Sequence, residues 1–258
     1  MVRAMVMDMV TERVNREMGI LRKKKQNKKT RSVNSNRLIL NDGSPFVVQE
    51  AYKALRTNVV FSLPGTDTKI VGLTSSEPGS GKSINAVNLA ISFGQIGKKV
   101  LLLECDLRLP TVAAKLGIKN QPGITELLTG EADLGDAIRK EEKYGIHVLL
   151  AGSIPPEPTV LLESKQMQSL VNALKTYYQY IIIDLPPVTT VTDAAIMSRY
   201  IDGFLLVARN GISEHRAISE MLNTLHLADA KIIGFVYNGV SAQDSHYYGK
   251  YYKSYAKK

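Results

Sequence analysis

Cysteine is almost missing from this 258-residue chain, in which Cys105 stands alone. One thiol excludes a disulfide framework, a cysteine-based zinc site and an iron–sulfur cluster built within one chain. A reducing cytoplasm fits that usage. Also missing is an uninterrupted apolar run near the roughly 20 residues needed to cross a bilayer. Nor do the first residues read as a secretory signal, because Asp8, Glu12, Arg13, Arg16 and Glu17 interrupt any apolar core there. No internal repeat is visible. What remains, 44% hydrophobic and 22% charged, is the composition of a soluble globular protein large enough for a substantial core.

Acidic residues are scarce at one end. Residues 1–40 hold eleven Lys and Arg against three acids, so they carry +8 of the formal net charge of +9. The basic character belongs to an appendage, and the remainder is close to neutral. Met5, Met9, Val10, Val14, Met18 and Leu21 have a loosely helical spacing, followed by the basic run from Arg22 to Lys29 and a polar stretch from Thr30 to Asn36. One reading is an amphipathic helix and a solvated linker, with residues 1–30 touching an anionic membrane surface. The other is an unstructured leader. Nucleic acid could attract the same charge, but that reading leaves the motifs below unexplained, so a nucleic-acid partner is not expected.

From about Pro45 the pattern becomes regular. A helix is expected from Gln49 to Phe61, and another from Ser83 to Ile96, stopped by Gly97. Continuous apolar runs predict strands at Ile70–Thr74, Val100–Leu103, Ile146–Leu150, Tyr180–Asp184, Phe204–Ala208 and Lys231–Tyr237. Further helices are expected near 160–178, 191–200 and 213–227. Apolar strands alternating with helices imply an α/β fold, a mostly parallel sheet with helices on both faces. The chain divides into a basic segment and linker at 1–44, one α/β domain at 45–240, and a polar, tyrosine-rich tail at 241–258.

The strongest motif is Ser75-Ser76-Glu77-Pro78-Gly79-Ser80-Gly81-Lys82-Ser83, placed after an apolar strand and opening a helix. That is the setting of a phosphate-binding loop: small residues let backbone N–H groups approach phosphates, and the helix N-terminus adds positive potential. Lys82 would bridge the β- and γ-phosphates of ATP and the Ser83 hydroxyl would ligate Mg²⁺. Ser76 stands where the general pattern has its first glycine. A second motif, Leu101-Leu102-Leu103-Glu104-Cys105-Asp106-Leu107-Arg108, delivers two acids at the end of a buried strand, the edge where open α/β sheets bind ligands. Taken alone, it also reads as helix capping or an ion pair with Arg108. A third, Tyr180-Ile181-Ile182-Ile183-Asp184-Leu185-Pro186-Pro187, brings Asp184 to the same edge and is similar to a Walker B strand, whose Asp holds Mg²⁺.

Together these motifs resemble those of the bacterial tyrosine kinases of capsule and exopolysaccharide synthesis, across about residues 47–258. The double proline after Asp184 and Pro78 within the loop are part of the likeness. So are Glu50, Lys53 and Arg56, similar to the family's Glu-x-x-Arg-x-x-Arg subunit-packing helix, and the cluster Tyr247, Tyr248, Tyr251, Tyr252 and Tyr255. Two positions depart from the pattern: Glu104 stands for the usual Asp and Lys53 for the usual Arg. The resemblance implies a P-loop NTPase fold, with Mg-ATP bound by Pro78, Gly79, Ser80, Gly81, Lys82, Ser83, Ile84 and Asn238, the last near the adenine. It also implies Lys82, Glu104, Asp106 and Asp184 as catalytic residues, Mg²⁺ held by Ser83, Asp106 and Asp184, and autophosphorylation in trans of the five tail tyrosines. A ring of like subunits, a separate membrane activator with a cytoplasmic tail, and a cytoplasmic kinase recruited to the inner membrane face complete the expectation. The alternative is a nucleotide-switched positioning or partitioning ATPase. Those proteins carry a lysine five residues before the P-loop lysine, and that position is Glu77 here.

Overall fold

The computed structural model describes residues 38–65 and 67–240. The basic segment, its proposed membrane contact and the five tail tyrosines lie outside the described residues. A helix, α1 (Phe46–Ser62), precedes the first strand, β1 (Lys69–Ser75), which feeds α2 (Lys82–Gly94) and β2 (Val100–Glu104). Three short helices follow, α3 (Val112–Leu116), α4 (Ile124–Thr129) and α5 (Leu134–Ala137), then β3 (Ile138–Glu141) and β4 (Ile146–Leu149). The chain continues through α6 (Pro158–Glu163), α7 (Lys165–Lys175), β5 (Tyr180–Asp184), α8 (Asp193–Met197), β6 (Gly203–Arg209), α9 (His215–Leu227) and β7 (Ile232–Asn238).

The seven strands form one sheet in the order β3-β4-β2-β5-β1-β6-β7. All neighbours run parallel except β3 and β4, which pair antiparallel. Strand β3 was not expected from the sequence. Its residues, Ile-Arg-Lys-Glu, lack the apolar run of a central strand, as suits a half-exposed edge. The helix expected near 160–178 is two helices. Ser164 breaks it, its hydroxyl oxygen accepting the Met167 amide at 3.1 Å to cap α7.

The expected cover on both faces follows from the period of two along each strand. Val71, Leu73, Leu102, Val148, Ile182, Leu205 and Val207 join one core cluster with Val59 and Leu63 at the end of α1 and Ala86, Val87, Leu89, Ala90, Ile91 and Phe93 of α2. The alternate residues Ile70, Leu101, Leu103, Ile181, Ile183, Phe204 and Leu206 are buried just as completely outside that cluster. They face the opposite layer, where Gly72 leaves room for Ile201 and Phe204. Register sets Asp184 opposite Leu73 of β1 and Glu104 of β2, so three carboxyl ends finish at one level. The chain leaves β1 toward β2 on one side and returns to β6 on the other, and such a reversal opens a crevice at the carboxyl edge.

Candidate nucleotide and phosphoryl-transfer site

The loop from Glu77 to Lys82 joins β1 to α2 at that edge. Gly81 has φ of 95°, and a Cβ there would lie 2.1 Å from Nδ2 of Asn238, so both backbone angle and space require glycine. Helix α2 starts on Gly81 with no side chain capping it, leaving its first N–H groups for an anion.

Three successive carbonyls of the loop accept side-chain hydrogen bonds. Arg209 Nη1 donates to the Gly79 carbonyl at 2.8 Å, Asn238 Nδ2 to Ser80 at 2.9 Å, and Asn85 Nδ2 to Gly81 at 2.9 Å. A trans peptide is planar, with its C=O and N–H opposed. Fixing those three carbonyls therefore fixes the N–H groups of Ser80, Gly81 and Lys82, a nest of successive amides suited to phosphate oxygens. The Ser80 hydroxyl donates to the Glu77 carbonyl at 2.7 Å and tightens the turn. Asn238 is thus a clamp on the loop, its Oδ1 also accepting the Gly239 amide at 2.8 Å. Pro78 and Gly79 are exposed, and Ile84 turns toward the core that α2 shares with the sheet.

Lys82 and Asp106 meet: Nζ lies 2.7 Å from Oδ2, with only 12% and 5% of the two side chains exposed. Burial pulls the Lys82 ammonium down, but the carboxylates of Asp184, Asp106 and Glu104 more than offset it, so its pKa ends above the ordinary value. The other oxygen of Asp106 accepts the Leu109 amide at 3.1 Å. Asp184 is fully buried, and neither of its oxygens has a hydrogen-bond partner of normal geometry among the described residues. Burial raises its pKa; Lys82 and the nearby Ser83 hydroxyl pull the other way. A naked buried carboxylate is costly, and a divalent cation between Asp184 and Ser83 would satisfy it. No group of three or more His, Cys, Asp or Glu among the described residues is arranged to hold a metal. Mg²⁺ is commonly held through one or two carboxylates and completes its shell with phosphate and water, and Asp184 beside the Ser83 hydroxyl offers such donors.

Expected among the catalytic carboxylates, Glu104 has another placement. Its Oε1 accepts the amides of Thr111 at 2.6 Å and Val112 at 2.8 Å, and its Oε2 accepts Ala151 at 3.3 Å. It ties the entry of α3 to the end of β4. Burial pushes its carboxyl up to about 7 against those three donors, with Asp184 adding repulsion. Nor does Arg108 pair with either acid of its own motif. It forks onto Asp193 at the start of α8, Nε to Oδ2 at 2.9 Å and Nη2 to Oδ1 at 3.0 Å. On α1, Lys53 pairs with Glu50 at 2.8 Å on the surface, while Arg56 turns inward to the Ser92 carbonyl. The three do not form one outward stripe in the isolated chain.

A family model described as an AAA domain matches residues 68–232. Tyrosine-protein kinase YwqD of Bacillus subtilis strain 168 is 37% identical over 202 residues, 78% of this chain and 85% of its own. The kinase domain of Escherichia coli tyrosine kinase ETK superposes with a TM-score of 0.75 at 32% identity, covering 85% of each chain. The chain belongs to the bacterial tyrosine kinases. A more distant relation reaches other P-loop NTPases: the septum site-determining protein MinD of Pyrococcus horikoshii, solved with Mg-ADP, matches 65% of this chain and 69% of its own at 26% identity, TM-score 0.56.

In this bacterial tyrosine kinase the sequence motifs contain Lys82, Asp106 and Asp184, which meet at one sheet edge, but only some of the residues that hold the loop and its surroundings. Arg209, Asn85 and Asp193 stood outside every motif, as did Lys115 on α3. Burial pulls the Lys115 ammonium below its usual range, with Asp184 opposing and Lys82 reinforcing. One signal was legible: Asn85 and Asn88, poor helix formers, interrupt the apolar interior of α2 and so had to be serving hydrogen bonds.

Proposed function

We propose that this kinase transfers the γ-phosphoryl group of Mg-ATP to Tyr247, Tyr248, Tyr251, Tyr252 and Tyr255 of a neighbouring copy. The observation that carries this is the Lys82–Asp106 pair, 2.7 Å apart beside an unpartnered buried Asp184. The loop amides and Lys82 bind the phosphates, and Lys82 leaves Asp106 to do so. Asp106, thereby released, orients the acceptor tyrosyl hydroxyl and takes its proton. A phenol of pKa about 10 is otherwise a poor nucleophile at neutral pH. The tyrosyl oxygen bonds to the γ-phosphorus as the bond to the bridging oxygen breaks, and ADP departs. Ser83 and Asp184, with Asp106 beside them, would hold Mg²⁺, whose charge neutralises the phosphate oxygens when bound. Glu104, held by three amides, fixes the strand end from which Asp106 projects.

Among the described residues no helix is long and apolar enough to cross a membrane. Recruitment to the inner membrane face by residues 1–30 and by a separate activator's cytoplasmic tail, assembly into a ring through α1, and control of polysaccharide synthesis or export belong to this same reading. The positioning-ATPase alternative draws no support from the loop. Glu77 fills the signature-lysine position, and its Oε1 accepts the Glu214 amide at 3.2 Å.

The test is incubation of the purified chain with Mg-ATP and mass mapping of phosphotyrosine. Modification is expected at the five tail positions, and is lost in Asp184→Asn. Undiminished phosphotyrosine after all five tyrosines are replaced by Phe would place the acceptors elsewhere.

A further inference from the structure

The clamp on Gly81 does not end at Asn85. Tyr52 of α1 donates its hydroxyl to Asn85 Oδ1 at 2.9 Å and accepts Asn88 Nδ2 at 3.0 Å. Asn88 in turn donates to the Leu38 carbonyl at 2.9 Å, and its Oδ1 accepts the Leu40 amide at 2.8 Å. Asn88 is 1% and Asn85 4% exposed, so water does not compete for these contacts. The result is an unbroken path of hydrogen bonds from residues 38–40, which precede α1, through α1 to the phosphate loop. The Tyr52 hydroxyl both donates and accepts, and each amide oxygen and nitrogen on the path keeps one role. Nδ2 of Asn85 reaches Gly81 because Oδ1 is engaged by Tyr52, which sets the amide's orientation. Burial raises the Tyr52 phenol above its ordinary pKa, so it stays protonated and remains the donor.

We infer that Tyr52 is a positioning residue for nucleotide binding: the Gly81 carbonyl accepts the Asn85 main-chain amide at 3.1 Å and the Asn85 side chain at 2.9 Å, and Tyr52 secures the second of these bonds and with it the setting of the Lys82 amide toward phosphate. Neither Tyr52 nor Asn88 touches the loop, so their influence passes entirely through Asn85. This ties the seating of residues 38–40 and of α1 to the affinity for nucleotide, and it rests on the loop being the ATP site. Removing the Tyr52 hydroxyl leaves Asn85 Oδ1 without its donor and the amide free to turn its oxygen toward the Gly81 carbonyl, which repels it.

The experiment uses the full chain as Tyr52→Phe, Asn85→Ala and the double variant. It measures Mg-ATP affinity by calorimetry, tail phosphorylation at saturating ATP and thermal midpoint. Tyr52→Phe is expected to weaken Mg-ATP binding about 3- to 10-fold, the factor carried by one buried hydrogen bond. Its phosphorylation rate at saturating ATP stays within about twofold of wild type, since no group at the phosphoryl centre changes. Asn85→Ala weakens binding at least as much, and the double variant no further, because both changes cut one path. A merely structural tyrosine would lower the thermal midpoint and leave the affinity unchanged. Wild-type affinity in folded Tyr52→Phe, or losses that multiply in the double variant, would overturn the inference. If Tyr52→Phe does not fold, Asn88→Leu cuts the same path one step earlier and must weaken binding likewise. Wild-type chain that binds no Mg-ATP would overturn this inference and the kinase reading together, whereas normal binding with unchanged Tyr52→Phe affinity overturns this inference alone.

Discussion

Lys82→Met separates the two duties of the P-loop lysine. Lys82 is the cation for Asp106, Asp184 and Glu104, and its Nζ lies 2.7 Å from Asp106. Methionine keeps most of the stem's volume but withdraws the charge. Removing one partner of a buried ion pair costs about 3–5 kcal/mol. With 12% of Lys82 still exposed, the lower end, about 3 kcal/mol, is expected. The loss depends on pH. Without the ammonium, Asp184 and Glu104, whose carboxyls burial already raises, hold protons in the folded state that they release on unfolding above the ordinary carboxylate range. Native chain then binds more protons than unfolded chain, so the variant regains stability as pH falls. Urea unfolding in EDTA should show Lys82→Met well below wild type at pH 8 and closer to it at pH 6, and Lys82→Met/Asp106→Asn should recover part of the deficit. Phosphotyrosine formation should be absent from the folded variant at every pH. Equal unfolding midpoints at pH 8, or a deficit that does not narrow at pH 6, would refute the reasoning.

The other outcomes turn on neighbouring residues. Gly81→Ala places a Cβ 2.1 Å from Asn238 Nδ2 at a φ of 95°, so nucleotide affinity should fall at least tenfold in calorimetry while far-UV circular dichroism stays native, the shift being confined to loop and clamp. Glu104 has a folded pKa raised from 4.5 to about 7. Its ionisation therefore opposes folding increasingly as pH rises through that window, by about 3 kcal/mol once complete. Relative to wild type, Glu104→Gln should gain stability between pH 4.5 and 8 in urea titrations without metal, and parallel pH profiles would contradict this. Arg108→Lys loses the two-pronged contact to Asp193 and should lower stability by about 1–2 kcal/mol in the same assay.

Much of this protein was already written in the order of its residues. The apolar runs ending at Thr74, Glu104 and Asp184 specified buried parallel strands, and buried strands sharing an edge bring Lys82, Asp106 and Asp184 together whatever the detail of their helices. The glycines of the loop and the lysine after them announced a phosphate site because few other needs place those residues between a strand and a helix. The tertiary structure decided the partners. Side-chain pairing depends on separations such as the 85 residues between Arg108 and Asp193 or the 158 between Asn238 and Ser80, which no local pattern encodes. Glu104 and Asp106 look interchangeable in sequence, and the period of two along a strand would put both on one side, but β2 ends at Glu104 and the chain has left the strand before Asp106. One therefore turns to the amides of Thr111, Val112 and Ala151, and the other to Lys82. Likewise Tyr52 reads as one more residue of an amphipathic helix. Only the packing of α1 on α2 makes its hydroxyl the link between residues 38–40 and the phosphate loop.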